Sequence, residues 1–320
     1  MKLAFVLDPL ESIKTYKDSS YAMMREAARR GHSLAVLHQE DLVWKDRRVV
    51  AFTRALRITG DAHHWYDTGE RTATAPESFD FVLMRKDPPF DMEYVYSTYL
   101  LELAQAQGAR VVNDPRALRD FNEKLAITRF PQFTVPTLVA RDEALIRAFL
   151  AEHGDIVLKP LDGMGGSSVF RLHRQDHNVG VVIETLTHYG RRTIMAQRFI
   201  PEISEGDRRV LVIGGEPVPY ALARIPKPGE TRGNLAAGGR GVAQPLTARE
   251  KEIALALGPE LNKHGLMLVG LDVIGGWLTE VNVTSPTCMR EIEDQTGFNV
   301  AGMMIDALER ARTKAQGDEG

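Results

Sequence analysis

The chain has 320 residues, with 40 Lys and Arg against 43 Asp and Glu and a net charge of −3. That length holds about two or three domains of roughly 100 to 150 residues, and the near-neutral balance gives no basic footprint for nucleic acid, although local basic clusters can still bind phosphates. Cys288 is the sole cysteine, which excludes an internal disulfide and a cysteine-based zinc site; no apolar run reaches the roughly 18 residues of a membrane span, and MKLAFVLDPL is too short an apolar start for a signal peptide, so a cytoplasmic protein is expected.

In chain order, KLAFVL predicts a strand, the stretch after Asp18 a helix ending near Gly31, and SLAVLH and FDFVLMR two more strands. Asp91 caps a helix that stops at Gly108 before the strand ARVVN. This alternation implies a parallel α/β layer. His63 and His64, beside Trp65, lack metal-ligand spacing and read as structural or surface residues. DPRALRDFNEKL opens with an Asp cap and a Pro at the first helical position, and the first domain boundary falls around residues 120 to 123. Beyond it the pattern changes. IVLKPLDGMGGSSVFRL predicts a hairpin with a glycine-rich tip, VGVVIETLTHY a helix, TIMAQRFI a strand, and RRVLVIGGEPVPYALARI a second hairpin around Gly214 and Gly215. Thr247 and Glu250 form a capping box for a helix running to His264, and a polar tail begins after about residue 313.

Three stretches carry chemistry. In the glycine-rich tip, Gly163, Gly165 and Gly166, followed by Ser167 and Ser168, let backbone amides approach an anion, with Lys159 on the preceding strand. A plain glycine-rich turn fits these residues as well, and the spacing is that of neither a Walker A nor a dinucleotide fingerprint. Residues 225 to 241, IPKPGETRGNLAAGGRG, have no hydrophobic period and carry Arg232 and Arg240, so they read as a linker or as a basic lid that closes over a phosphate. Further cations stand at Lys124, Arg208, Arg209 and Arg224, each of which also reads as an ordinary solvated charge, Arg208 most readily. In LVGLDVIGGWLTEVNVTSPT, Asp272, Glu280 and Asn282 sit on two apolar strands joined by a Gly-Gly turn, where a buried sheet has no structural use for them. Two carboxylates and an amide, without His or Cys, suit a hard cation that keeps open positions for phosphate oxygens; the competing reading makes them strand-end caps.

Parity constrains that hairpin. With a plain two-residue turn at Gly275 and Gly276, Asp272 pairs with Thr279 and points away from Glu280. Convergence on one cluster therefore predicts a three-residue or bulged turn around residues 274 to 276.

MRKDPPF at 84 to 90, NEKL at 122 to 125, LKPLDGMGGSS at 158 to 168, PVPYALARIP at 217 to 226, ETRGNLAAGGRG at 230 to 241 and LTEVNVTSPT at 278 to 287 resemble, in the same order, the motifs of the bacterial glutathione synthetases of the ATP-grasp superfamily. The resemblance covers nearly the whole chain. It implies an α/β protein with the ATP-grasp fold: a parallel-sheet N-terminal domain over 1–121, then two α+β subdomains over 122–200 and 201–313 that clasp ATP, and a tail at 314–320. It implies ATP-dependent joining of gamma-glutamylcysteine to glycine, with Mg²⁺ or Mn²⁺ as two ions, in a homotetramer or homodimer. Lys124 and Lys159 would meet the ATP phosphates under a flap from Gly163 to Ser168; Arg198 to Ile200 would form the hinge against adenine, with Asp207 near the ribose. Asp272, Glu280 and Asn282 would hold the metal, Asn282 also bordering the nucleotide. Arg209 would stand beside the reacting carbonyl and Arg232 would act from the lid. Asp18, Ser19, Arg85, Arg224, Ser285 and Thr287 would meet the dipeptide, although Asp18 and Ser19 fit helix capping too. No protein nucleophile is needed, so Cys288 reads as a packed thiol. The alternatives are another ATP-grasp carboxylate–amine ligase, such as a D-alanine:D-alanine ligase, and an ATP-binding module without ligation. The MRKDPPF motif, and an intact Arg209 and lid, speak against them.

Overall fold

The computed structural model describes residues 1–61, 64–163, 165–227, 229, 233, 235 and 238–317, the last three without their side chains. Three sheets follow one another along the chain. The first contains β1 (Lys2–Val6), β2 (Ser33–Leu37), β3 (Leu42–Lys45), β4 (Arg48–Ile58), β5 (Tyr66–Thr74), β6 (Phe81–Met84) and β7 (Val111–Val112), in the order 3-4-2-1-6-7 with β5 on β4. β2, β1, β6 and β7 are parallel, as the alternation of strands and helices predicts. Their residues are buried on both faces, which is why LAFV and FVLM are continuous apolar runs. The sheet is mixed, however: β3, β4 and β5 add an antiparallel half that the expected parallel layer lacks.

The connections are helical. α1 (Ser19–Arg29) starts at Asp18, whose Oδ1 accepts from the Tyr21 N–H at 2.7 Å, and α2 (Met92–Ala106) starts in the same way at Asp91. α3 (Pro115–Asp120) begins at the Asp114 cap with Pro at its first position.

The second sheet contains β8 (Thr137–Ala140), β9 (Asp155–Pro160), β10 (Phe170–His173) and β11 (Ile194–Arg198), ordered 10-9-11-8, with α4 (Glu143–His153) and α5 (Val179–Thr187) packed on it. The third contains β12 (Asp207–Ile213), β13 (Glu216–Ile225), β14 (Arg240–Pro245), β15 (Leu268–Ile274) and β16 (Trp277–Asn282), ordered 14-13-12-15-16 and antiparallel throughout. α6 (Ala248–Lys263) has the expected Thr247–Glu250 capping box. Glu250 also receives Arg208, which lies between it and the carbonyl of Pro245, so Arg208 pins α6 to β12 and is not the solvated charge expected.

α7 (Met289–Thr296) and α8 (Val300–Gly317) are the last described elements, and α8 extends to Gly317, into the stretch expected to be a tail from residue 314; residues 318–320 lie outside the described residues. α8 returns to α1, where Arg30 bridges to Asp306 at 2.6 Å and to Glu309 at 3.1 Å. Asn113 joins the first sheet to the third: its amide donates to the carbonyls of Leu268 and Val283 at 2.8 and 2.7 Å and accepts from Leu268 N–H at 2.9 Å. No helix among the described residues is long and apolar enough to cross a membrane.

Candidate active site

The hairpin β15–β16 brings Asp272 and Glu280 opposite one another, as the metal reading requires, but by a different route from the one expected. Ile274 pairs with Trp277 across a plain two-residue turn, in which Gly275 (φ 55°) and Gly276 (φ 78°) both take the left-handed backbone that such a turn demands. The bulge lies further down, between Asp272 and Val273 on one strand and Glu280 and Leu278 on the other, with Thr279 as the extra residue. Thr279 Oγ1 donates to the Asp272 carbonyl at 3.1 Å, while its own carbonyl accepts from Lys159 Nζ at 3.3 Å. The register shift thus turns Glu280 and Asn282 into the cleft and aims a carbonyl at the lysine opposite.

That cleft lies between the second and third sheets and is lined by Lys124, Lys159, Gly163, Gly165, Gly166, Ser167, Arg198, Ile200, Asp207, Arg209, Asp272, Glu280 and Asn282. Each of these was singled out from the sequence. Lys159 projects from β9 and Glu280 Oε1 stands 3.7 Å from its ammonium. Lys124 reaches the same carboxylate at 3.8 Å and donates to the Gly163 carbonyl at 2.6 Å. Its backbone is fixed by Asn122, whose Oδ1 accepts from Lys124 N–H and Leu125 N–H, and by the Glu123 carbonyl, which accepts from Val281 N–H on β16 at 2.8 Å. The NEKL segment is thereby an extension of the β15–β16 hairpin.

Charge is concentrated behind these residues. Asp272, 2 % exposed, accepts from Arg209 through both oxygens and from Arg224 at 2.9 Å. Burial opposes its charge, but the two guanidiniums outweigh burial and hold the carboxyl well below the usual range. Gly270 is what lets Arg209 cross β15 to reach it: a Cβ there would stand 2.9 Å from Arg209 Cδ and 3.0 Å from Pro286 Cβ. Asp207 shares Arg224 through Oδ2 while its buried Oδ1 has no partner among the described residues. Burial pushes Asp207 up to about 6 against the pull of Arg224, with Asp272 adding to the rise. Burial lowers Lys159, whereas on Lys124 Glu280 and Glu123 overcome burial and raise it.

A second group lies where the first sheet meets the 285–289 segment. Arg85 is buried and donates to Ser20 Oγ at 3.1 Å and to the Pro286 carbonyl at 2.9 Å; burial lowers its pKa. Ser285 Oγ donates to the Arg85 carbonyl at 3.4 Å, and Ser19 Oγ accepts from Met289 N–H at 3.2 Å. Burial raises the Asp18 carboxyl, which caps α1. Thr287 approaches Cys288 Sγ at 3.7 Å, and Cys288 is buried, its thiol pushed up by that burial. The structure therefore joins Asp18, Ser19, Arg85, Ser285 and Thr287 in one region, whereas Arg224 belongs with Asp207 and Asp272.

Some expectations lie beyond reach: Arg232, His63 and part of the 225–241 stretch fall outside the described residues. His64 is exposed and pairs with Asp67 at 2.7 Å, in keeping with a surface role. Phe199 lines the cleft within the expected 198–200 hinge, whereas Glu123, Arg171, Gln197 and Thr279 line it without having been singled out. Glu123 and Gln197 were within reach, each adjoining a chosen residue; Arg171 and Thr279 depend on pairing between strands.

Two family models match the chain: the N-terminal domain of prokaryotic glutathione synthetase over residues 1–119 and the ATP-grasp domain of prokaryotic glutathione synthetase over residues 123–297. The glutathione synthetase of Nitrosomonas europaea is 68% identical over 314 residues, 97% of this chain and 98% of the relative, and that of Ralstonia nicotianae is 59% identical over 100% and 99%. Among solved structures, the D-cycloserine synthetase DcsG aligns with a TM-score of 0.67 at 16% identity, covering 98% of this chain and 100% of that one. The ATP-grasp ligase PsnB, solved with a minimal precursor, Mg and ADP, aligns with a TM-score of 0.63 at 18% identity over 98% of each chain. The structural likenesses establish the ATP-grasp fold, and the two family models together with relatives of this identity and coverage establish that the chain belongs to the prokaryotic glutathione synthetase family.

Proposed function

We propose that this chain joins gamma-glutamylcysteine to glycine at the expense of ATP, giving glutathione, ADP and phosphate, and that the cleft between the second and third sheets is where it does so. The observation that carries the reading is the convergence of Lys124, Lys159, Glu280 and Asn282 on one side of the cleft with the Arg209–Asp272 pair behind them. A carboxylate is a poor electrophile, so the dipeptide's glycyl-accepting carboxylate takes the γ-phosphoryl group and ADP leaves. The glycine amine then attacks the acyl carbon, and phosphate departs as the tetrahedral oxyanion collapses. Both steps gather negative charge, and positioned cations supply most of the catalysis in such reactions.

In this reading Lys124 and Lys159 bind the phosphates, with Gly163 to Ser168 above them. Arg198 to Ile200 border the base, and Oδ1 of Asp207, without a partner among the described residues, accepts from a ribose hydroxyl. Asp272 takes one N–H each from Nε and Nη2 of Arg209, fixing the guanidinium so that Nη1 and the second Nη2 hydrogen are left as donors for the oxyanion. Arg85, Asp18, Ser19, Ser285 and Thr287 orient the dipeptide from one region, Arg224 acts on it from beside Asp272, and Arg232 closes from the lid. Asp272, Glu280 and Asn282 would hold Mg²⁺ or Mn²⁺, as two ions; two carboxylates and an amide are a hard-oxygen set, and Asp272 would share its oxygens with the guanidiniums. When bound, that metal neutralises triphosphate charge. A cytoplasmic homotetramer or homodimer belongs to the same reading, supported by the family resemblance alone.

ADP release measured with a panel of dipeptides and amines tests the proposal. Release is expected only with Mg²⁺, gamma-glutamylcysteine and glycine together, because the acyl phosphate has no productive outlet without the amine. Equal turnover on D-alanine alone would overturn it.

A further inference from the structure

The cleft has a second polar cluster, at the end of β9 remote from Lys159. Asp155, Val157 and Lys159 alternate along β9; Val157 and Lys159 line the cleft, together with Arg171 from β10 and Phe199 just beyond β11. Four residues of strand separate Asp155 from Lys159, about 13 Å at roughly 3.3 Å per residue. An extended nucleoside triphosphate spans a comparable distance from base to terminal phosphates. With the phosphates at Lys159, the base lies at the Asp155 end.

Three adjacent strands meet there. Arg171 forks onto Asp155, with Nε 3.0 Å from Oδ1 and Nη2 2.6 Å from Oδ2. Its guanidinium carbon stands 3.6 Å from the centre of the Phe199 ring, and Phe199 N–H donates to the Asp155 carbonyl at 3.0 Å. Asp155 thus fixes Phe199 twice, once through its own backbone and once through Arg171. His173, paired with Asp155 across β9 and β10, adds Nδ1 at 3.6 Å from the same carboxylate. The planar fork orients the guanidinium, and the guanidinium orients the ring. Phe199 sits past the last ladder pair of β11, so this stack holds its side chain where the β-ladder no longer does.

We propose that Asp155 and Arg171 are positioning residues: they brace Phe199, and with it the 198–200 segment, against the nucleotide base and so set affinity for ATP without taking part in ligation. The inference rests on the reading of the cleft as an ATP site.

Calorimetric titration of the full chain with ATP and with inorganic tripolyphosphate, both with Mg²⁺, tests it on the wild type, Arg171→Ala, Phe199→Leu and the double variant. Loss of the stack weakens ATP about two- to fivefold, the worth of a solvent-exposed cation–π contact, and leaves tripolyphosphate unchanged. The double variant is no weaker than Arg171→Ala by more than about twofold, since both changes break one contact. KM for ATP rises in step while kcat at saturating ATP holds. Asp155→Asn keeps the shape, gives the same pattern more weakly, and tests the brace independently of how Arg171→Ala folds. Equal losses for ATP and tripolyphosphate, additive losses in the double variant, or unchanged ATP affinity in Arg171→Ala and Asp155→Asn would overturn the brace. A wild type that fails to bind ATP would instead refute the nucleotide reading.

Discussion

Asp207→Asn should remove a pH dependence of stability that Asp207 imposes on the wild type. The carboxyl is buried, one oxygen is held by Arg224 and the other has no described partner, and Asp272 and Glu280 lie near enough to repel it. These place it at about 6, against 3.8 for a free Asp. Between those values the folded chain holds a proton that the unfolded chain has released. A raised folded-state value means that the contribution to stability is complete below about pH 4 and is lost as pH rises through about 6. A rise of about two pH units at 1.36 kcal/mol each is about 3 kcal/mol in full, of which about 2 kcal/mol falls between pH 4.5 and 7.5. Asn mimics the neutral acid and cannot titrate.

Melting temperatures of the ligand-free wild type and Asp207→Asn across that pH range read this directly. With about 2 cal/mol/K of unfolding entropy per residue, 320 residues melt with about 0.7 kcal/mol/K, so the wild type should lose about 3 °C relative to the variant from pH 4.5 to 7.5. The absolute offset is unimportant, because Arg224 loses a charged partner at every pH; only the change in the difference reports the proton. Parallel curves for the two proteins would refute the reasoning and return Asp207 to an ordinary carboxyl value.

Arg209→Ala should leave ATP binding near wild type in a calorimetric titration and slow ligation about 10²- to 10³-fold, the usual cost of one oxyanion donor; unchanged turnover would show that Arg209 only balances Asp272. Gly270→Ala should slow ligation about 10- to 10²-fold with little change in KM for ATP, because its Cβ displaces Arg209 or Pro286 and a misplacement of about 1 Å is enough. Wild-type rates in that variant would mean that Arg209 reaches its partner by another path.

The parallel strands and their capped helices were legible because burial on both faces leaves unbroken apolar runs, and because Asp18, Asp91 and Asp114 each announce a helix start. The antiparallel half of the first sheet was not. β5 reads YDTGERTAT and is largely exposed, with no apolar face to mark it, and β14, RGVAQP, is a short edge strand with the same silence. For these, tertiary pairing overrides composition. Arg208 shows the same limit for side chains: its sequence neighbourhood suggests a solvated charge, and only the approach of α6 gives it Glu250.

The bulge at Thr279 shows why the site could be inferred while its construction could not. Parity required one extra residue somewhere between Asp272 and Glu280, and the two glycines were the obvious place, since glycine tolerates positive φ cheaply. Yet a Gly-Gly pair is also the best composition for a regular two-residue turn, and that use leaves the ladder intact at Ile274–Trp277. The extra residue then had to be absorbed where irregularity gained something: at Thr279, whose freed carbonyl meets Lys159 and whose hydroxyl secures the Asp272 carbonyl. The same economy governs the charges. Lys124, Lys159, Arg209 and Arg224 face Glu123, Asp207, Asp272 and Glu280, so much of the cationic charge at the cleft is met by its own acids, while Arg198 adds a further cation to the lining. Glu280 stands 3.7 and 3.8 Å from two ammonium groups, too far for a full hydrogen bond with either. Those ammoniums therefore keep donors for phosphate oxygens, and Glu280 keeps lone pairs for a cation. A tighter pairing would have stabilised the fold further and left less for a substrate to bind.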